Sequence, residues 1–301
     1  MKLVTFNEQR LGVVTPGGVV DITNLSGVES GFWPPIGMVQ LISRFEELQP
    51  AIRQAIEARK PLPMASVRLE APLQWPNKVV AFPANYHDHI EEMKQGTGSG
   101  VISKFKASGQ GFFLKSNSSL SGPSDDIILP PLEGREVHHE CELGIIVGKR
   151  GRGIDRAHSH EYIFGFTCLL DMVVRGVEER VMRKSFDTFC PTGPWIVTRD
   201  EIGDMNNIRM SLTVNGEQRQ SATTADLIVD IPEMLAMSSA VMTLQPGDII
   251  ATGTPAGVGP VVDGDVLQIT IEGVGSMTLN VRRGDVGAHS VWNAAKAGLS
   301  V

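Results

Sequence analysis

Beyond Leu69 the apolar residues of this chain come in short runs broken by turn residues, and that patterning limits the fold more than any other feature. The runs include Val79-Val80-Ala81-Phe82, Phe112-Phe113-Leu114, Ile127-Ile128-Leu129, Leu143-Gly144-Ile145-Ile146-Val147, Gly165-Phe166-Thr167-Cys168-Leu169-Leu170, Leu212-Thr213-Val214, Ile249-Ile250-Ala251 and Val266-Leu267-Gln268-Ile269-Thr270-Ile271. Short runs rich in β-branched and aromatic residues predict strands. Helical spacing is scarcer: it follows Tyr86, follows Asp171, and runs from Ile231 to Met242, where Pro232 suits a first helical turn. The balance predicts an α+β fold on a rolled or sandwiched β core rather than a doubly wound parallel sheet. Ahead of it, residues 1–24 read as a small β meander. Val39, Ile42, Phe45, Leu48, Ile52 and Ile56 recur at helical spacing over 38–59, and Pro61-Leu62-Pro63 closes the unit.

The 301 residues, 42% apolar and 20% charged, are enough for one large core, or one core with a small satellite. The net charge of -7 comes without any block of like charges, which argues against nucleic acid or an anionic membrane as partner and for a small molecule. Met1 to Glu8 has no apolar signal core, and no segment approaches the roughly 18–20 apolar residues of a membrane span. Cys141, Cys168 and Cys190 make neither a CxxC pair nor an even framework, so reduced thiols and a cytoplasmic location are expected.

The residues with the most chemical content lie in Val137-His138-His139-Glu140-Cys141-Glu142-Leu143-Gly144. In a strand, alternate side chains share a face, so Glu140 and Glu142 point the same way. They are either two solvated glutamates on an exposed edge or two carboxylates with a cation between them. His138 shares their parity, as a supporting or structural residue rather than a ligand. Asp171 ends an apolar strand before an expected helix at Met172, as N-cap or as a third carboxylate ligand. A Glu, Glu, Asp set suits magnesium, manganese or calcium and leaves positions for water and substrate. His89 and Glu92, three apart, are either polar helix surface or a dyad in which the carboxylate orients the imidazole. Lys184 is an exposed lysine or a holder of a substrate carboxylate. Thr254, in the turn after residues 248–252, offers a hydroxyl beside free backbone N–H groups that suit a carboxylate. The glycine-rich stretch between Met93 and Gly111 is a surface loop or a lid over the site.

With these residues in place the chain resembles the fumarylacetoacetate hydrolase superfamily from about Asn77 to Arg283. His138-His139-Glu140-x-Glu142-Leu143-Gly144 and Leu170-Asp171-Met172 are similar to its metal-binding acids, and Lys184-Ser185-Phe186 to its Lys-Ser-Phe motif. Gly253-Thr254-Pro255-Ala256-Gly257-Val258-Gly259 is similar to its glycine-rich turn. Asn85-Tyr86-x-x-His89-x-x-Glu92 resembles the motif of the shorter members that act on acylpyruvates and oxaloacetate, and the chain as a whole resembles the acylpyruvase and hydroxyheptadienedioate isomerase-like members. The resemblance implies a small N-terminal α+β domain over 1–72, a mixed β-roll or sandwich catalytic domain over 73–285, a tail over 286–301, and a homodimer. It implies a magnesium or manganese cofactor on Glu140, Glu142 and Asp171, catalysis by His89, Glu92 and Lys184, and substrate contacts from Tyr86, Arg175 and Thr254. The implied reaction is hydrolysis of a carbon–carbon bond in an acylpyruvate- or fumarylpyruvate-like 2,4-dioxo acid through a metal-bound enolate. Oxaloacetate-type decarboxylation and hydroxydienedioate isomerisation or hydration share that enolate, and a non-catalytic calcium-stabilised binding protein is the reading from another class. Two positions depart from the family pattern: Glu178 stands where many members have Gln, and Pro83-Ala84 where many have Gly-Arg.

Overall fold

In the computed structural model, residues 1–95, 107–285 and 292 are described. Most of the glycine-rich stretch and all of the tail except Trp292 therefore lie outside the described residues, and so does the lid expectation.

The short apolar runs form strands, as their composition predicts, and the largest sheet winds through most of the chain. Its order begins with the hairpins Gly18–Asp21, Arg10–Thr15 and Lys2–Phe6, and passes to Cys190–Thr198, Ile163–Leu170 and Cys141–Val147. It ends with Ile249–Ala251, Val79–Ala81 and Phe113–Lys115. Neighbours are mostly antiparallel, with Ile249–Ala251 beside Val79–Ala81 as a parallel exception. The N-terminal meander is not set apart from this sheet, because Lys2 and Leu3 pair with Val197 and Ile196. A second sheet of five strands, including Arg209–Val214, Val266–Ile271 and Gly275–Arg283, closes the other side of the core. Strand Val266–Ile271 alternates exposed and buried residues, as a sheet with one solvated face requires. Cys141–Val147 and Ile163–Leu170 are buried along their whole length, which their mostly apolar sequence accounts for except at Glu142.

Helices are few, as expected. Gly37–Ser43 and Phe45–Ala58 cover the meander, with Leu48, Ile52 and Ala55 turned inward. His87–Gln95 follows Tyr86, and Ile231–Val241 starts at the Asp230 N-cap with Pro232 in its first turn. No helix among the described residues is long and apolar enough to cross a membrane.

One local expectation fails. No helix begins at Met172: the chain after Asp171 continues into the strand Val173–Val174, which pairs with His138 and Val137. Two β-branched residues facing a free strand edge gain ladder hydrogen bonds that a helix start would forgo.

Candidate active site

The buried strands Cys141–Val147 and Ile163–Leu170 run antiparallel with Cys141 opposite Leu170, which brings Glu140 and Glu142 at the start of one beside Asp171 at the end of the other. Glu140 lies at the break between Val137–His139 and Cys141–Val147, and its carbonyl accepts the Asp171 N–H at 2.9 Å. Ligand oxygens of Glu140, Glu142 and Asp171, all buried, lie within 4.8 Å of one another. Of the two arrangements open from strand parity, the exposed edge is excluded.

Buried carboxylates so close need counter-charge. Lys184 provides part of it, with Nζ donating to Glu140 Oε2 at 2.6 Å and Asp171 Oδ2 at 2.5 Å. Lys115, which sequence reasoning passed over, donates to Asp171 Oδ1 at 2.5 Å and to the carbonyls of Lys184 at 2.8 Å and Phe189 at 3.3 Å. Burial works against ionised Glu140, but Lys184 and then Arg175 draw its carboxyl down to about 2. Glu142 goes the other way: burial, then the Asp171 charge, push it well above the usual carboxylate range. Glu140 and Asp171 hydrogen-bond to ammonium groups, whereas Glu142 accepts only a backbone N–H among these bonds and has no cation at hydrogen-bond distance. The all-oxygen donor set and the missing positive charge both fit a hard divalent cation.

These groups face a cleft of about 380 Å³ whose walls include Phe82, Pro83, Ala84, His89, Gln110, Phe113, Glu140, Glu142, Asp171, Arg175, Arg180, Arg183, Lys184 and Thr254. His89 is buried at 5% exposure, and its Nδ1 lies 3.0 Å from Glu92 Oε2, so the two residues pair as their spacing predicts. The other Glu92 oxygen accepts the Gly257 N–H at 2.9 Å. Burial would raise the Glu92 carboxyl, but the hydrogen bonds from His89 and Gly257 hold it below its ordinary value. Arg175 is partly exposed, with Nη2 3.8 Å from Glu140 Oε1.

The glycine-rich turn has a different use from the one expected. The Gly253 N–H donates to Glu142 Oε2 at 2.8 Å, and the Gly257 N–H is taken by Glu92. Both amides therefore hold the protein's own carboxylates. Gly257 has φ +95, and a Cβ there would lie 1.9 Å from the Arg219 carbonyl oxygen, so only glycine fits. Thr254 does line the cleft, its hydroxyl accepting from Gln220 Nε2 at 2.8 Å. Gln220, deep in a largely polar strand, also accepts the Cys141 N–H at 3.0 Å, tying the turn to the carboxylate strand.

One further expectation is corrected, and one open position is settled in its contacts. Tyr86 is not a cleft residue: it sits in the main hydrophobic core with its hydroxyl 3.8 Å from Met210 Sδ, because its ring is better satisfied there than at a wet surface. Glu178 does not face the cleft either. It accepts Arg135 Nη1 at 2.9 Å and Nη2 at 2.7 Å, and Arg135 Nε donates to the Arg175 carbonyl at 2.8 Å. The carboxylate that departs from the family pattern has its own guanidinium. His138 pairs with Glu136 at 2.8 Å and stands outside the acid cluster. Asn85, the first residue of the His89–Glu92 motif, fixes the entry to His87–Gln95 through bonds to Val229 and to the Thr252 carbonyl.

Sequence and structure comparisons show what this chain is similar to. The family described as fumarylacetoacetate (FAA) hydrolase C-terminal matches residues 78–282. A maleylpyruvate hydrolase of Aquipseudomonas alcaligenes is 43% identical over 288 residues, covering 94% of this chain and 99% of the relative. A mitochondrial oxaloacetate tautomerase of Rattus norvegicus is 38% identical over 272 residues, covering 86% of this chain and 82% of the relative. Among solved structures, maleylpyruvate hydrolase from Sphingobium sp. SYK-6 in complex with manganese(II) and pyruvate is 50% identical with a TM-score of 0.85, covering 95% of this chain and 100% of that one.

Proposed function

The chain belongs to the fumarylacetoacetate hydrolase family, and from that premise we propose that it is a divalent-metal-dependent hydrolase cleaving a carbon–carbon bond in a 2,4-dioxo acid of the acylpyruvate type. The observation that carries the proposal is the His89–Glu92 pair at 3.0 Å, with His89 on the wall of the cleft that holds the three carboxylates. An enolate-only reaction needs no base for water, whereas hydrolysis does. The resemblance to maleylpyruvate hydrolases over nearly the whole chain supports the same reading, as does the pyruvate bound in the solved relative, since pyruvate is the product expected here.

Glu140, Glu142 and Asp171 would hold magnesium or manganese, with Lys184 and Lys115 fixing the Asp171 oxygens. Bound there, the cation supplies a Lewis acid for the 2-oxo group and its carboxylate. The chain's own residues supply the rest. Glu92 accepts the Nδ1 proton of His89, which leaves Nε2 basic and able to take a proton from water. The water oxygen attacks the C4 carbonyl carbon, the C3–C4 bond breaks, and its electron pair passes into the C2–C3 enolate. Protonation at C3 by the His89 imidazolium completes pyruvate, and the acyl fragment departs as a carboxylic acid. Lys184 has two of its three donors on Glu140 and Asp171, so the third serves the developing enolate charge, together with Arg175.

Cytoplasmic residence and a homodimer complete the reading. Three buried, unpaired cysteines fit a reducing compartment, and Val177, 89% exposed beside Val181 and Met182, gives an apolar surface that a second copy would cover. The test is an assay of the manganese- or magnesium-loaded protein against acylpyruvates, oxaloacetate and hydroxydienedioates, read by product mass. Pyruvate and a carboxylic acid from an acylpyruvate are expected. Turnover confined to oxaloacetate or a dienedioate would overturn the hydrolase assignment.

A further inference from the structure

Trp292, the described residue farthest along the chain, lies beyond the family match, which ends at residue 282. It is 7% exposed and belongs to the main hydrophobic core, although it is not on the cleft wall. Two side chains meet its ring. The Phe186 ring lies 5.1 Å away between centroids and tilted by 41°. The Arg135 guanidinium carbon lies 5.7 Å from the indole centroid, and Arg135 Nη1 donates to the Trp292 carbonyl at 3.2 Å. Aromatic pairs and guanidinium–indole contacts of this kind contribute beyond the area they bury.

Each neighbour leads to a charged group of the cleft. Lys184, which bonds Glu140 and Asp171, stands two residues before Phe186, at the end of the helix Arg180–Arg183. A helix of four residues cannot hold its own shape, and Thr188 just beyond takes φ +65, which a β-branched residue adopts only where its surroundings impose it. The position of residues 184–189 therefore comes from packing, and Phe186 packs on Phe189 at 5.1 Å and on Trp292. The Phe189 carbonyl in turn accepts the Met172 N–H at 3.0 Å and Lys115 Nζ at 3.3 Å. On the second branch, Arg135 holds the Arg175 carbonyl through Nε while its other nitrogens hold Glu178. One indole thus touches both branches, the one carrying Lys184 and the one carrying Arg175.

We infer that Trp292 is a positioning residue for the active site: its indole, set against Phe186 and Arg135, holds Lys184 and Arg175 in register with the three carboxylates. Side chains that orient a metal site's neighbours affect affinity or activity without touching the reacting atoms. Small misplacement of a charge-stabilising group also lowers the rate more than it lowers substrate binding. The turnover part of the inference rests on the hydrolase assignment. The manganese part does not, because Lys184 bonds two of the three carboxylates whatever the reaction.

The experiment measures kcat and KM for acylpyruvate hydrolysis, and manganese affinity by calorimetry, in the full chain at a temperature well below each variant's melting point. Trp292→Ala and Trp292→Leu are expected to lower kcat about tenfold or more and to weaken manganese binding about tenfold, the low end for an outer partner of a metal site, with KM changed far less. Trp292→Phe, which keeps an aromatic face for Phe186, should restore most of both. Phe186→Leu should lower kcat similarly, and adding it to Trp292→Leu should cost little more, because contacting residues that act together are not additive. A purely structural tryptophan would lower the melting temperature and leave kcat and manganese affinity at wild-type values, and that result overturns the inference, as do additive losses in the double variant. If Trp292→Ala does not fold, Trp292→Leu, which keeps apolar volume, decides. Wild-type protein without acylpyruvate turnover sinks the hydrolase assignment alone, and manganese affinity in Trp292→Leu then decides for or against the positioning role.

Discussion

Lys115 and Asp171 form a buried ion pair with Nζ 2.5 Å from Oδ1, while Lys184 takes Oδ2 of the same carboxylate. Both oxygens of Asp171 are thus fixed by ammonium groups before any cation arrives. The same Lys115 bonds to the Lys184 and Phe189 carbonyls, so one side chain sets the position of an acid and of the backbone beneath its second partner. Lys115→Met removes one partner of a buried pair, a change that typically costs about 3–5 kcal/mol. Metal-free protein should lose that much in denaturant unfolding, and manganese-saturated protein distinctly less, because the cation takes over the lost charge. Equal losses with and without manganese would assign Lys115 a packing role only.

Excess chelator is expected to abolish turnover, and magnesium or manganese to restore it. Glu142→Ala should imitate chelation, since it deletes a carboxylate that lacks a counter-charge of its own. Manganese titration followed by thermal shift checks the binding directly. Undiminished manganese affinity in Glu142→Ala would remove that residue from the ligand set.

At position 178 a carboxylate pairs with Arg135 through two hydrogen bonds, which hold its carboxyl below the usual range. A depressed native value means the pair adds stability above the unfolded carboxylate value, and that this stability is lost as pH falls through the native one. Glu178→Gln should therefore cost about 1.5–3 kcal/mol near neutral pH, with the difference from wild type shrinking in acid. Hydrolysis is expected to fall modestly, because Arg135 also holds the Arg175 carbonyl. Faster hydrolysis in Glu178→Gln would place the side chain in the cleft after all.

What sequence pattern carried and what it missed divide along the range of the interactions. Glu140 with Glu142, and His89 with Glu92, are close neighbours in sequence, and strand or helix spacing alone brings each pair together. The apolar runs likewise announced strands because their burial is written in local composition. Lys115 and Asp171 are 56 residues apart, and Gln220 and Cys141 are 79 apart, so their meetings depend on which strands the sheet makes adjacent. Lys115 did leave a trace: like Asp171, it is a charge that ends an apolar strand. Tyr86 misled because its role came from the resemblance alone, which does not carry the core beside Met210 that holds the ring. Asp171 misled about the following helix, since an aspartate before a short apolar stretch has the same local signature as an N-cap. Arg175, Arg180 and Arg183 were visible as residues, but their convergence on one cleft was not.

The sharpest test concerns His89, which is fixed from one side by Glu92, itself fixed by the Gly257 N–H in a turn that tolerates only glycine. General acid–base groups contribute about a hundredfold to ten-thousandfold, so His89→Ala should lower acylpyruvate hydrolysis within that range. Manganese binding should persist, because His89 does not belong to the carboxylate cluster. Glu92→Gln keeps an acceptor oxygen but loses the charge that steadies the imidazolium, and a smaller loss is expected. Gly257→Ala attacks the same dyad from behind: a Cβ at 1.9 Å from the Arg219 carbonyl must displace the turn and with it the amide that anchors Glu92. Its hydrolytic defect should resemble that of Glu92→Gln, accompanied by a larger loss of thermal stability than Glu92→Gln shows. Oxaloacetate decarboxylation draws on the cation as electron sink rather than on an activated water, so any such activity should survive His89→Ala far better than hydrolysis does. Parallel loss of both activities in His89→Ala, with manganese still bound, would mean that the imidazole shapes the cleft instead of activating water.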